Sequence, residues 1–326
     1  MKSEGRFYDL IMHDKDVPDI MKDGIDGVTV LSCNNVGIYY WQECDKEIWT
    51  LRDFPNVAPP FERFWLDFTA PSFVNSEEYG IIPWNEESAS HWGFDCWGFD
   101  LRQEETRTYY LSTYDGFENP LYPYMDTARW AMDMYMYWRF QGRIRQPWLW
   151  RTLVDDQGKF VCNKDGKEVL LNAPTNDETD FALEQLAQVM PYEKAFENMQ
   201  RFVLPYWHTA ALAISFLHCK NVVLEEVKPP RKVVHNKSQK RRGVKPYLPV
   251  PYKVLVIEPM KRILKSEGQS EQVGAKKSLH ICIGHFKHYE NGRGLFGKHK
   301  GTYWFPQQIR GSKGKGITTK DYEIKL

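Results

Sequence analysis

Residues 127–142 read TARWAMDMYMYWRFQG, and this stretch decides how the middle of the chain is understood. Asp126, just ahead of it, is a residue type that caps helices. Met132, Met136 and Phe140 recur at a spacing of four, and Gly142 offers a stop. The expectation is a helix. Downstream, 160–171 (FVCNKDGKEVLL) reads as a β-hairpin around Lys164, Asp165 and Gly166. A second helix of about twenty residues is expected over 178–199, capped from 175–177 and kinked or broken at Pro191. A third, apolar helix is expected from about Pro205 to Val227. Its clean apolar run, 209–217, is too short to span a bilayer, and His208, His218 and Lys220 flank it. A buried core helix is therefore expected and no membrane association.

Towards the N-terminus the pattern is β-rich. Short β-branched and aromatic runs at 27–32 (GVTVLS), 36–41 (VGIYYW) and 47–51 (EIWTL) read as strands, with Cys33, Asn34 and Asn35 a break between the first two. Residues 57–60 (VAPP) form a stiff connector. In 61–68 (FERFWLDF) Phe64, Leu66 and Phe68 fall on one face and Arg63, Trp65 and Asp67 on the other. Further strands are expected at 91–101 and 106–114. The fold class is accordingly read as α+β. An aromatic-rich antiparallel domain at 1–124 precedes a helical middle at 125–227, either separate from or continuous with the first. A basic linker at 228–250 leads to a small basic β-barrel-like module, SH3- or OB-sized, at 251–326. Its strands are expected at 252–257, 278–286, 302–305 and 317–324, with a short segment at 258–266.

The chain holds 43 Lys+Arg and 43 Asp+Glu, yet the charges are segregated. Residues 1–227 carry 20 basic and 37 acidic side chains, a net of −17. Residues 228–326 carry 23 basic and 6 acidic, a net of +17. Such a basic block is the footprint of a surface for nucleic acid or another polyanion. The opposite charges also allow docking of one part on the other, within a chain or between copies. Six scattered cysteines without a C-x-x-C pair argue against a disulfide framework and fit reduced thiols in a cytoplasm. The N-terminal residues carry acids early and no apolar run, unlike a secretory signal.

No motif fixes a reaction. His280, Cys282, His285 and His288 are metal-type ligands, but strand alternation puts 285 opposite the other three, so no metal or cofactor is assigned. In 292–301 (GRGLFGKHKG) His299 stands where a phosphate-binding loop needs a magnesium-ligating Ser or Thr, which excludes an NTPase. His208 and Cys219 are eleven apart, about 16 Å along a helix, too far for a dyad. Paired acids (Asp95/Asp100, Glu77/Glu78, Glu86/Glu87, Glu104/Glu105) could bind a divalent ion but lack a nuclease spacing. Phosphate contacts are expected from Arg231, Lys232, Lys240, Arg241, Arg242, Lys245, Lys287, Arg293, Lys298, Lys300 and Arg310. Tyr303 and Trp304 are base-stacking candidates on condition that they are exposed.

The block 279–322 combines His280, Gly284, His285, Phe286, Leu295, Phe296, Gly297, Lys298, Tyr303, Trp304, Arg310, Gly311, Asp321 and Tyr322. It is similar to the tail of an uncharacterised protein family of bacteriophages and prophages, as are 58–65 (APPFERFW) and 216–222 (FLHCKNV). The resemblance implies a phage or mobile-element origin and supplies no activity. The functional expectation is a non-enzymatic phage protein that binds DNA or RNA in the host cytoplasm. The alternatives are a module that binds a host defence or transcription protein through the aromatic acidic part, and a metal-dependent nuclease or nucleotide-modifying enzyme.

Overall fold

The computed structural model describes residues 7–13, 22, 25–40, 54–71, 89–112, 121–140, 143–166, 169–174, 191–228, 251–257, 278–282, 284–290, 294–295, 299–305, 308–310 and 312–317. Two compact units divide the chain. The first holds Met1–Ser215 and Leu224–Leu255, the second Phe216–Val223 and Val256–Leu326.

The stretch 127–142 is not a helix. Trp130–Phe140 is strand β4, the third of a run that begins with β2 (Arg63–Pro71) and β3 (Ala89–Asp100) and continues with β5 (Arg143–Val154) and β6 (Leu170–Pro174). These five strands form an antiparallel meander. On the other side of β2, β1 (Thr29–Ser32) runs parallel to it, and β8 (Tyr252–Ile257) runs parallel to β1. With β7 (Val222–Val227) at the edge, the order is β6-β5-β4-β3-β2-β1-β8-β7, eight strands among the described residues. The helical middle is thus overturned: its first half is sheet, because aromatic and β-branched side chains there bury themselves on pleated faces.

Register gives the sheet two different faces. Phe64, Leu66, Phe68, Phe94, Cys96, Met132, Met134, Met136, Trp148 and Trp150 are buried on one. Onto this face packs the principal helix: Trp92 stacks on Tyr206 with ring centres 3.7 Å apart, and Trp150 stacks on Trp207 at 5.5 Å. The opposite face is covered at one end by α1 (Phe7–His13), whose Phe7, Tyr8 and Ile11 join Val30, Trp65 and Tyr137. Gly93 permits this packing. A Cβ at that position would lie 2.0 Å from Trp65 Cζ2, so only glycine lets the indole rest on the backbone.

Three further local expectations change. Asn34–Ile38 is helix α2 rather than a strand, part of the crossover that parallel pairing of β1 and β2 requires. Glu104–Ser112 is helix α3, where a strand was expected from 106; Glu104 and Glu105 occupy its first turn, favourably for the helix dipole. Helix α4 is Tyr192–Leu217, opening directly after Pro191 and carrying Pro205 inside it. It ends at Leu217, and Val222–Val227 is strand. Among the described residues no helix is long and apolar enough to cross a membrane. The turn at 163–166 does form: Gly166 has φ 72°, and Val169 N–H donates to Val161 O at 2.8 Å.

In the second unit the described strands make two separate small sheets instead of one barrel. β10 (His285–Tyr289) pairs with β11 (Gly301–Phe305), and β9 (Ser278–Cys282) lies between β12 (Gln308–Arg310) and β13 (Ser312–Ile317). The expected strand 278–286 is therefore two strands. The expected features at 47–51, 175–190, 229–250, 258–266 and 318–324 lie outside the described residues.

Candidate nucleic-acid interface

The best-defined part of the basic unit is the β10–β11 hairpin. Its register pairs His285 with Phe305, Lys287 with Tyr303 and Tyr289 with Gly301. One face turns Phe286 and Trp304 inward, and both pack on Phe216, with ring centres at 5.3 and 4.8 Å. On the other, Tyr303, Phe305 and Leu295 form a small cluster with Tyr289. Residues 219–221 run along the free edge of β11. Lys220 N–H donates to Thr302 O at 2.9 Å. The Asn221 side chain then does what a strand backbone would do. Its Nδ2 donates to Trp304 O at 2.8 Å, and its Oδ1 accepts from Trp304 N–H at 2.9 Å. Asn221 is buried, so this amide satisfies two backbone groups that would otherwise be desolvated at the edge.

Three lysines are among the polar groups on this scaffold. Lys220, Lys287 and Lys300 are exposed. The Lys287 ammonium lies 5.1 Å from the centre of the Phe305 ring, a cation–π contact that restrains its stem. His288 bonds Thr302 Oγ1 through Nδ1 at 2.6 Å and meets Glu290 Oε1 through Nε2 at 2.9 Å. The exposed acid of the hairpin is thus engaged by a neighbouring imidazole.

Of the residues expected to contact phosphate, the structure brings Lys287 and Lys300 to this hairpin. Arg310 sits on β12 opposite His280. Arg231, Lys232, Lys240, Arg241, Arg242, Lys245, Arg293 and Lys298 lie outside the described residues. The condition attached to Tyr303 and Trp304 is not met: they are 5% and 2% exposed and face the interior, so neither presents a ring to a base. His280 and Cys282 fall on β9, while His285 and His288 fall on β10. Among the described residues no three His, Cys, Asp or Glu side chains come together as a metal site would need. Burial pushes the Cys219 thiol up to about 12, the opposite of what a nucleophile requires.

Sequence reasoning missed a charged array in the first unit. Cross-strand register lines up Arg63, Trp97, Asp133 and Arg151 across β2, β3, β4 and β5. Arg63 donates to both oxygens of Asp95, Nε at 3.1 Å and the terminal nitrogen at 2.8 Å. Trp97 Nε1 donates to the same carboxylate at 3.0 Å, and the Arg63 guanidinium lies 3.9 Å over the Trp97 ring. Arg151 likewise grips Asp133 with two bonds, Nε to Oδ1 at 2.7 Å being one. Each carboxylate is engaged by an arginine fork, which suits alignment of strands better than proton transfer. The available signal was a lone acid or arginine inside an otherwise apolar strand, as in MDM at 132–134 and WRT at 150–152.

No family model, curated protein or solved structure matches this chain.

Proposed function

We propose that this chain binds nucleic acid through its basic C-terminal third. The observation that carries the reading is the charge segregation, a net of +17 over 228–326 against −17 over 1–227. Lysines that neutralise phosphates release condensed counterions, and that release drives association whatever the base sequence. The exposed Lys220, Lys287 and Lys300 on the described hairpin support it, as does the engagement of Glu290 by His288. Because Tyr303 and Trp304 are interior, the reading rests on neutralisation of the phosphate backbone and not on base stacking by these two rings. The similarity of 279–322 to phage proteins belongs to the same reading: a mobile-element protein acting in a host cytoplasm. Cys33 and Cys96 are buried thiols, in keeping with a reducing compartment. The rival interaction-module reading drew on aromatic density in the acidic part. Trp65, Trp92, Trp148, Trp150 and Trp207 are all fully buried, which leaves the exposed Tyr109 and Tyr122 as the aromatics that reading can draw on.

The test is a salt titration of binding by the full chain to labelled single- and double-stranded DNA and RNA. Affinity falling steeply with salt is expected, the log–log slope losing about 0.9 per duplex phosphate neutralised. Replacing Lys240, Arg241 and Arg242 by glutamine is expected to flatten that slope; an unchanged slope removes this cluster from the interface. Absence of binding at low salt rejects the proposal.

A further inference from the structure

We infer that Lys220, which lies within the acidic part of the sequence, is a phosphate contact of the basic unit and is aimed by Gly301. This rests on the nucleic-acid reading above. The structure assigns Phe216–Val223 to the second unit, together with Val256–Leu326. Lys220 is therefore a cation of the basic unit although 1–227 carries a net of −17.

Its position is built. The Lys220 N–H is held by Thr302 O, and the next residue, Asn221, is fixed from both sides by the backbone of Trp304. The side chain then crosses Gly301. A Cβ at Gly301 would stand 3.0 Å from Lys220 Cγ and 3.1 Å from Cε, and the φ of 117° there suits only glycine. The hairpin thus keeps an open slot in which the methylene stem of the exposed Lys220 lies, on the face that Gly301 shares with Tyr303. Lys287, opposite Tyr303, stands two strand positions further along the same face, about 7 Å, the axial rise of about two nucleotides of one strand. Glu290, the exposed acid nearby, is engaged by His288. The ligand chemistry is a row of phosphates. Phosphates of a duplex are one source and a flexible inorganic polyphosphate another.

The experiment compares the full chain with Lys220→Gln, Lys220→Arg and Gly301→Ala, on a labelled duplex DNA, with unlabelled inorganic polyphosphate as competitor. Lys220→Gln is expected to reduce the salt slope by about 0.9, one phosphate contact, and Lys220→Arg to keep it. Gly301→Ala, which leaves every charge in place, is expected to weaken binding in the parent chain and to have no further effect alongside Lys220→Gln. Polyphosphate displacing the duplex in proportion to phosphate concentration supports a contact to phosphate as such. Equal weakening by Lys220→Arg and Lys220→Gln would mean that packing and not charge matters, and overturns the inference. A steep parental slope kept unchanged by Lys220→Gln overturns it while leaving the parent proposal standing. No salt-dependent binding by the unaltered chain overturns both.

Discussion

Asp133→Ala is the perturbation that most directly probes how the sheet is held together. The side chains of Asp133 and Arg151 are 3% and 6% exposed, and Nε and Oδ1 are 2.7 Å apart. At an effective dielectric of about 20, that separation is worth about 6 kcal/mol of attraction. Part of this is offset when the carboxylate no longer has to be desolvated, so the net loss expected is about 3–5 kcal/mol. The remaining guanidinium is then the cost: a buried cation deprived of its carboxylate. The assay is urea denaturation followed by tryptophan fluorescence, with Trp148 and Trp150 reporting from the same strand as Arg151. A melting shift of about 10 °C is expected alongside, at about 2–4 °C per kcal/mol for a unit of this size. The companion variant replaces both partners, Asp133→Leu with Arg151→Met. It should be neutral or more stable than the parent, by up to about 4 kcal/mol, since both charges are then gone from the interior. A single variant costing less than about 1 kcal/mol, or a double variant as damaging as the single, refutes the reasoning.

Gly93→Ala puts a methyl group where Trp65 Cζ2 lies and should destabilise by about 3 kcal/mol, with partial recovery when Trp65→Phe is added; an indifferent denaturation midpoint would rule out the close approach. His208, bounded by Tyr40 and the Phe54 ring, has its pKa lowered by burial from 6.5 to about 4. The folded form thus binds fewer protons than the unfolded one between these values. Its contribution is complete above pH 6.5 and is lost as pH falls towards 4, by at most about 3 kcal/mol. His208→Gln should flatten the stability profile in that window, and a profile identical to the parent's counts against the assignment. Under native conditions Cys162, which is exposed, should react promptly with a thiol reagent, and Cys162→Ser should remove one fast equivalent. Cys33→Ser should remove none, because burial and then the Asp67 charge push its thiol well above the usual range.

The misreading of 127–142 has a definite physical origin. A spacing of four is common to both periods: on a helix it is slightly over one turn, on a strand it is two full pleats. Met132, Met136 and Phe140 therefore could not discriminate. Met134 could, since it shares the strand face of Met132 and Met136 but would fall on the far side of a helix. Burial on both faces of β4 hid the alternation that a half-exposed strand displays: Met132, Asp133, Met134, Met136 and Tyr137 are all interior. By contrast 61–68 was legible, because its alternation of Phe64, Leu66 and Phe68 with Arg63, Trp65 and Asp67 excludes a helix. At 36–41 and 106–114 β-type residues drew a strand reading, and tertiary context made helices.

The candidate interface was half legible. Charge counting brought out Lys287 and Lys300, but its boundary at 228 is not that of the second unit, which excludes Leu224–Leu255 and includes Phe216–Val223. Counting could not tell that Tyr303 and Trp304 point inward, since aromatics serve cores and surfaces alike. Nor could it reach Lys220, whose membership depends on a strap of chain that returns across β11. The arginine–carboxylate row was hidden for a related reason. Each charged residue looks isolated in its own strand and acquires a partner only through register, as Asp133 does with Arg151.

The strap formed by Asn221 and its neighbours also bears on how this protein can be dissected. The chain passes between its two units three times, after Ser215, after Val223 and after Leu255. A fragment cut at the obvious charge boundary would begin downstream of Phe216 and Asn221. It would leave the inner face of Trp304 and the outer edge of β11 without the groups that cover them. Such a piece would carry the positive charge but not the native surface, and an unpaired strand edge invites sticking to other copies. Autonomy here requires splicing 216–223 to the later segment through a designed linker, so that the second unit is expressed as the discontinuous body it is.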